Sequence, residues 1–285
     1  MKTILYTFIA IFVFGIMKPA FTNSALKQSS LLIQASDGKA SVQQLEQSVK
    51  IISARLADFS PEKFEVTILP GKNQIRVSAD NIPDLKMVES LLTQKGEMAF
   101  YETYDRAGVL ELLKGDSTLF SLLESKSNRS SDARLGCTSE AGMTRVDSYL
   151  GKYGPVQDCK FVWDQQEKAA CCLYALKTKE GIGAVVVGSE IESVKYNQEK
   201  SARYNDTSIK LKPSAVALWE DVTKRNINHA IAIVLDNKVL AAPVVRSVIS
   251  GGNCSITGNY TESEVRYIAA LGNNGVLPLS LIVVK

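Results

Sequence analysis

Apolar residues return at every third or fourth position after Ser41, at Val42, Leu45, Val49, Ile52 and Leu56. That spacing gives one apolar face and predicts a helix, opened by a capping box of Ser41 with Gln44. A short apolar strand, Leu31 to Ala35, precedes it. After it the period changes to two: Phe64, Val66 and Ile68 alternate with Lys63, Glu65 and Thr67, the pattern of a half-buried strand. Pro70-Gly71-Lys72-Asn73 has turn chemistry, and Ile75, Val77 and Ala79 alternate on the return. A second helix is predicted with Pro83 in its first turn, Leu85, Val88 and Leu92 on its apolar face, and Lys95-Gly96 as its stop. Met98 to Glu102 follows as a fourth strand. Residues 30–103 therefore read as β-α-β-β-α-β, and the fold class is α+β with a ferredoxin-like split βαβ base.

Beyond Tyr104 the periodicity weakens. Ala107 to Glu124 is predicted as one helix through Leu110, Leu113, Leu119, Leu122 and Leu123, and Ser125 to Gly136 as a polar exposed loop. Residues 105–180, which hold four of the five cysteines, are expected to be an insertion. A further α+β unit begins near Gly181, with Ala184–Val187 a strand candidate. A helix opened by Pro213 turns Val216, Trp219 and Val222 inward. His229–Leu235 and Lys238–Ala242 are strands joined by Asp236-Asn237, the residue pair of a type I′ turn. Thr261 with Glu264 forms another capping box before Val265, Ile268 and Leu271, and Leu279, Leu281 and Val283 alternate in a closing strand. The expected organisation is 1–24 signal peptide, 25–104 base, 105–180 insertion, 181–254 head, and 255–285 a helix and strand returning to the base.

Charge and composition exclude more than they assign. The chain has 285 residues, 45% hydrophobic and 22% charged, with 33 Lys and Arg against 30 Asp and Glu. Removing Lys2 and Lys18 with residues 1–24 leaves 31 against 30, and no block of five like charges occurs, so no nucleic-acid footprint exists. The N-terminus reads as an export signal: Lys2, an apolar run from Ile4 to Met17, Lys18-Pro19, then small residues at Thr22-Asn23-Ser24-Ala25. The run is shorter than the roughly 20 apolar residues of a spanning helix, so cleavage is expected; if uncleaved, it is the chain's membrane anchor. The expected location is periplasmic or extracytoplasmic. There disulfides are permitted, and Cys137, Cys159, Cys171, Cys172 and Cys254 are the candidates, with Cys137–Cys159 the expected local pair and at least one thiol left over.

The run His229-Ala-Ile-Ala-Ile-Val-Leu-Asp-Asn-Lys-Val-Leu-Ala-Ala-Pro243, with Val244-Val-Arg-Ser-Val-Ile-Ser-Gly-Gly252, Ile256-Thr-Gly-Asn-Tyr-Thr261 and Gly275-Val-Leu-Pro278, resembles the SecD protein-export family. Ser48 to Tyr101 is similar to the family's earlier helix–hairpin–helix–strand block. The resemblance implies a ferredoxin-like base completed by the last helix and strand, and a mobile head carrying the hairpin. The motif positions it marks are Asp236, Asn237, Lys238, Pro243, Gly251, Gly252, Gly258 and Pro278. It places the end of the chain where the family's second transmembrane helix would begin, so an extracytoplasmic part without the membrane helices is expected.

Catalytic chemistry finds little footing. His229 is the single histidine and begins a motif strand, which suits a structural role. Adjacent Cys171 and Cys172 face opposite ways in a strand, which suits disulfides or buried thiols over a metal. Gly71-Lys72 lacks the rest of a P-loop, and Gly181, Gly183 and Gly188 have the wrong spacing for a dinucleotide loop. No catalytic, cofactor-binding or metal residue is singled out, and no cofactor is expected. The expected function is a non-enzymatic module that assists export or envelope protein folding by transient contact with unfolded or nascent exported polypeptide. The Sec channel or a separate membrane subunit would be its further partner. The alternative is an envelope interaction protein that uses the same fold for one folded partner.

Overall fold

A computed structural model describes residues 29–124, 133–164, 170–178, 183–196 and 205–284, with 257–259 described by backbone alone. The expected signal at 1–24 lies outside the described residues. The first elements are β1 (Ser29–Ala35), α1 (Val42–Phe59), β2 (Glu65–Leu69), β3 (Gln74–Ala79), α2 (Leu85–Thr93) and β4 (Met98–Tyr104). There follow α3 (Arg106–Leu112), α4 (Thr118–Leu122), β5 (Arg134–Thr138), α5 (Glu140–Tyr153), β6 (Cys159–Trp163) and β7 (Cys171–Lys177). The last are β8 (Val186–Val187), β9 (Ile191–Tyr196), β10 (Asn205–Leu211), α6 (Pro213–Arg225), β11 (Ile231–Leu235), β12 (Lys238–Ala241), β13 (Asn253–Tyr260), α7 (Glu262–Asn273) and β14 (Leu281–Val284). The fold is mixed α and β, built on antiparallel sheets.

Local chemistry sets the helix starts as the sequence indicates. Ser41 and Gln44 form both hydrogen bonds of a capping box on α1, and Thr261 and Glu264 do so on α7. Pro83 falls just ahead of α2 rather than within its first turn, because Asp84 takes the cap and accepts from the Met87 amide. The single helix expected over 107–124 is broken into α3 and α4, because Lys114 and Gly115 both adopt positive φ.

The first sheet has the order β14-β1-β3-β2. Met98–Glu102, expected as its fourth strand, is not in it. Leu281–Val284 pairs with β1 through Leu32↔Val284 and Ala35↔Leu281, and β4 instead pairs with β11 in a second sheet. That sheet runs β12-β11-β4-β7-β5, with β6 on the other edge of β7 and β8 on β4. A parallel bridge between Asp164 and Val239 brings the end of β6 to β12. The strands β12, β11, β4, β7 and β6 thus form a ring, and they contribute the small core of Val162, Leu176, Ala232, Val234 and Val239. A third sheet, β13-β10-β9, was not anticipated.

One large core runs from Ile33, Ile52 and Leu92 through Met98 and Phe100 to Trp219, Ile231 and Tyr267. The first sheet and the β4–β11 region therefore share one apolar interior, with the Phe100 and Trp219 rings edge to face, 5.4 Å apart. A separate core of Val109, Leu119, Phe120, Leu135, Val146 and Leu173 lies in the cysteine-containing stretch.

The disulfide joins Cys137 to Cys172, not to Cys159 as expected. Register decides this: Cys137 sits directly opposite Cys172 on β5 and β7, whereas Cys159 is on β6 across the far edge of β7, opposite Lys177. Cys159, Cys171 and Cys254 are free thiols, and burial pushes Cys159 and Cys254 up to about 12.

Candidate functional site

The motif residues gather at two places. The first is the corner between α2 and β4. Asp236 and Asn237 turn the β11–β12 hairpin with φ of 46° and 64°, as a type I′ turn requires. The Asp236 carboxylate accepts from the amides of Gly96 at 3.0 Å and Glu97 at 2.8 Å, and its own amide donates to the Glu97 carbonyl at 3.0 Å. The turn is thus also an anchor that ties the hairpin tip to the chain between α2 and β4.

Beneath that corner lies Arg55, fully buried on α1. Its guanidinium donates to the carbonyls of Leu91 (3.1 Å), Gln94 (2.7 Å), Lys95 (2.6 Å) and Gly275 (2.7 Å). The first three close the C-terminus of α2, where carbonyls lack helical partners and a cation is favoured. Burial pushes Arg55 down to about 10, opposed by the charge of Asp236, so it stays cationic at neutral pH. Gly96 is required here: its φ is +83°, and a Cβ would run into the Arg55 guanidinium. Leu277 donates to the Lys95 carbonyl at 2.9 Å, so the Gly275–Pro278 motif converges on the corner already held by Asp236. Pro278 sits between buried Leu277 and Leu279.

The second place is the strip after β12. The Pro243 carbonyl accepts from Ile231, and Val245 pairs with Ile227 and donates to His229. The strip then runs along α6, where the Ile249 amide donates to Thr223 at 3.0 Å. Gly252, at φ +65°, passes so close that a Cβ would stand 2.8 Å from Val216. Gly251 precedes it, while Gly258 lies apart in β13. Val248 and Ile227 remain 39% and 38% exposed on this strip, beside exposed Arg246.

A cleft of about 460 Å³ opens beside the strip, lined by Glu102, Lys177, Val185, Arg225, Asn226 and His229. Glu102 accepts from Arg225 at 3.1 and 3.2 Å and from the Asn226 amide. Burial raises its pKa, but those hydrogen bonds outweigh burial and hold it below the ordinary carboxylate value. His229 lines this cleft and its backbone is fixed by Asn226 and Val245. Among the described residues no group of three or more His, Cys, Asp or Glu is placed to hold a metal. Lys238 is exposed at the start of β12.

Sequence reasoning missed Arg55, which reads as one more polar position on a surface helix. The signal was its place between Ile52 and Leu56 on the apolar stripe.

Residues 164–279 match the family model for the SecDF P1 head subdomain. The chain is 31% identical over 163 residues to the protein translocase subunit SecD of Acidaminococcus fermentans, covering 55% of this chain and 39% of that one. It is 23% identical over 242 residues to SecD of Rickettsia typhi, covering 85% and 38%. The matches thus span well under half the length of these relatives. Among solved structures, SecDF in its super-membrane-facing form superposes with a TM-score of 0.53 at 19% identity, over 90% of this chain and 29% of that one. A second, described as a membrane component SecDF that enhances protein export, gives 0.51 at 18%, over 90% and 98%. Both show the same fold. No described helix is long and apolar enough to cross a membrane.

Proposed function

We propose that this chain, a periplasmic-domain relative of the SecD/SecDF protein-export family, assists export by transient, non-enzymatic contact between its head and unfolded polypeptide. The observation that carries the reading is the coincidence of the family match, 164–279, with the hairpin and the strip. A strip with exposed Val248 and Ile227 beside Arg246 offers apolar contact with a polar margin, a chemistry that suits extended chains of varied sequence. The base, with the strand order β14-β1-β3-β2, is inferred to be ferredoxin-like and to act as the platform. The Cys137–Cys172 disulfide supports an extracytoplasmic location. The Sec channel is the further partner that the relationship suggests.

The test is a binding titration, read by fluorescence anisotropy, against a permanently unfolded secretory polypeptide and its native form. Binding to the unfolded form is expected to be at least about tenfold tighter, and the exposed pair Val248→Asp with Ile227→Asp is expected to abolish most of that preference. Equal affinity for both forms contradicts the proposal. Tight binding to one folded envelope protein alone would instead identify a dedicated interaction module.

A further inference from the structure

We infer that the cysteine-containing stretch is a brace for the β11–β12 hairpin, and that Asp164 is its positioning residue. Asp164 lies at the end of β6, 8% exposed. On one side its amide donates to the Cys172 carbonyl at 2.9 Å and its Oδ1 accepts from the Cys172 amide at 3.0 Å. On the other side its backbone bridges to Val239 in β12. Cys172 is in turn bonded covalently to Cys137 on β5. A continuous path therefore runs from β5 through the disulfide to β7, through Asp164, and into the hairpin.

The topology gives this path its consequence. Thr103↔Leu176 and Tyr104↔Ala175 are the registered pairs between β4 and β7, a short seam beside the longer pairings of β7 with β5 and β6. The far side of the ring depends on Asp164 meeting Val239, and Val239 is packed into the small core with Val162 and Leu176. The hairpin is held at its tip by Asp236 on the Gly96–Glu97 corner, at Leu240 by the Tyr260 hydroxyl, and along its outer edge by the backbone of Asp164. Losing the bond from the Cys172 amide to Asp164 Oδ1 loosens Asp164, and with it the edge that its backbone bridges, without detaching the tip. The brace acts on the hairpin whatever that hairpin contacts.

Hydrogen exchange read by mass spectrometry on the full chain tests this. Asp164→Ala is expected to speed exchange of Lys238–Ala241 roughly tenfold, while α1 and β1–β3 keep their protection. Asp164→Asn keeps an Oδ1 acceptor for the Cys172 amide and is expected to restore the parent rate. The double variant Cys137→Ala with Cys172→Ala, which leaves Asp164 in place, is expected to speed the same hairpin amides by the disulfide route. Faster exchange confined to β5 and β7, with Lys238–Ala241 unchanged in both the Asp164→Ala and the double-cysteine variant, overturns the brace. Asn behaving like Ala would also overturn the role given to the Oδ1 acceptor.

Discussion

Replacing Arg55 with Met is expected to lower the unfolding free energy by about 3–5 kcal/mol, the range for removing one partner of a buried charged network. The carbonyls of Leu91, Gln94 and Gly275 lose this donor while Lys95 keeps the Leu277 amide, and the Leu91 bond is the fully buried one. Leaving a buried acceptor without a partner costs about 1–3 kcal/mol each, reduced where the chain relaxes, and the cation's own desolvation is returned. For a chain of this size the shift in melting temperature is roughly 10 °C. Arg55→Lys is expected to recover only part, since one ammonium cannot reach carbonyls that a planar guanidinium spans. Urea denaturation followed by circular dichroism measures both. A loss below about 1 kcal/mol for Met would show that these carbonyls find other partners.

Removal of the disulfide, by Cys137→Ala with Cys172→Ala, is expected to cost about 3–4 kcal/mol. The closed loop has a sequence separation of 35, and the entropy it denies the unfolded chain gives that figure. Apart from the hairpin edge that the brace reaches, the effect should stay within the stretch around it, which has a core of its own. The two tryptophans make this measurable. Trp163 packs on the separate core and donates to Asp147 at 3.0 Å, while Trp219 sits in the large core against Phe100. With Trp219→Phe the remaining fluorescence reports the cysteine-containing stretch, and with Trp163→Phe it reports the large core. The first transition is expected to move to lower urea and the second to stay within experimental error. A parallel shift of both would show one cooperative unit.

What the sequence disclosed was set by neighbours in the chain. Capping boxes at Ser41 and Thr261, the Asp236-Asn237 turn and the alternation in β2 and β3 all depend on residues within a few positions, and the structure shows each of them. What it hid depends on distant partners. Met98–Tyr104 and Leu281–Val284 are both good strands, and nothing local says which of them takes the edge beside β1. Cysteine pairing follows the register of β5 on β7, which spacing does not encode. The alternating Thr207, Ile209 and Leu211 of β10 could have been found by period, since all three are buried. In the candidate site, the hairpin and the glycines were legible. Their anchorage was not, because Asp236 acts on Gly96 and Glu97, some 140 positions earlier in the chain.

The most direct test of the central claim places a photo-crosslinking amino acid at Val248 in living cells, with mass spectrometry of the adducts and exposed Leu85 on α2 as control position. The account predicts adducts from Val248 to many nascent exported proteins or to Sec channel subunits, and far fewer from Leu85. One folded envelope protein as the sole adduct, or equal adducts from both positions, would contradict it.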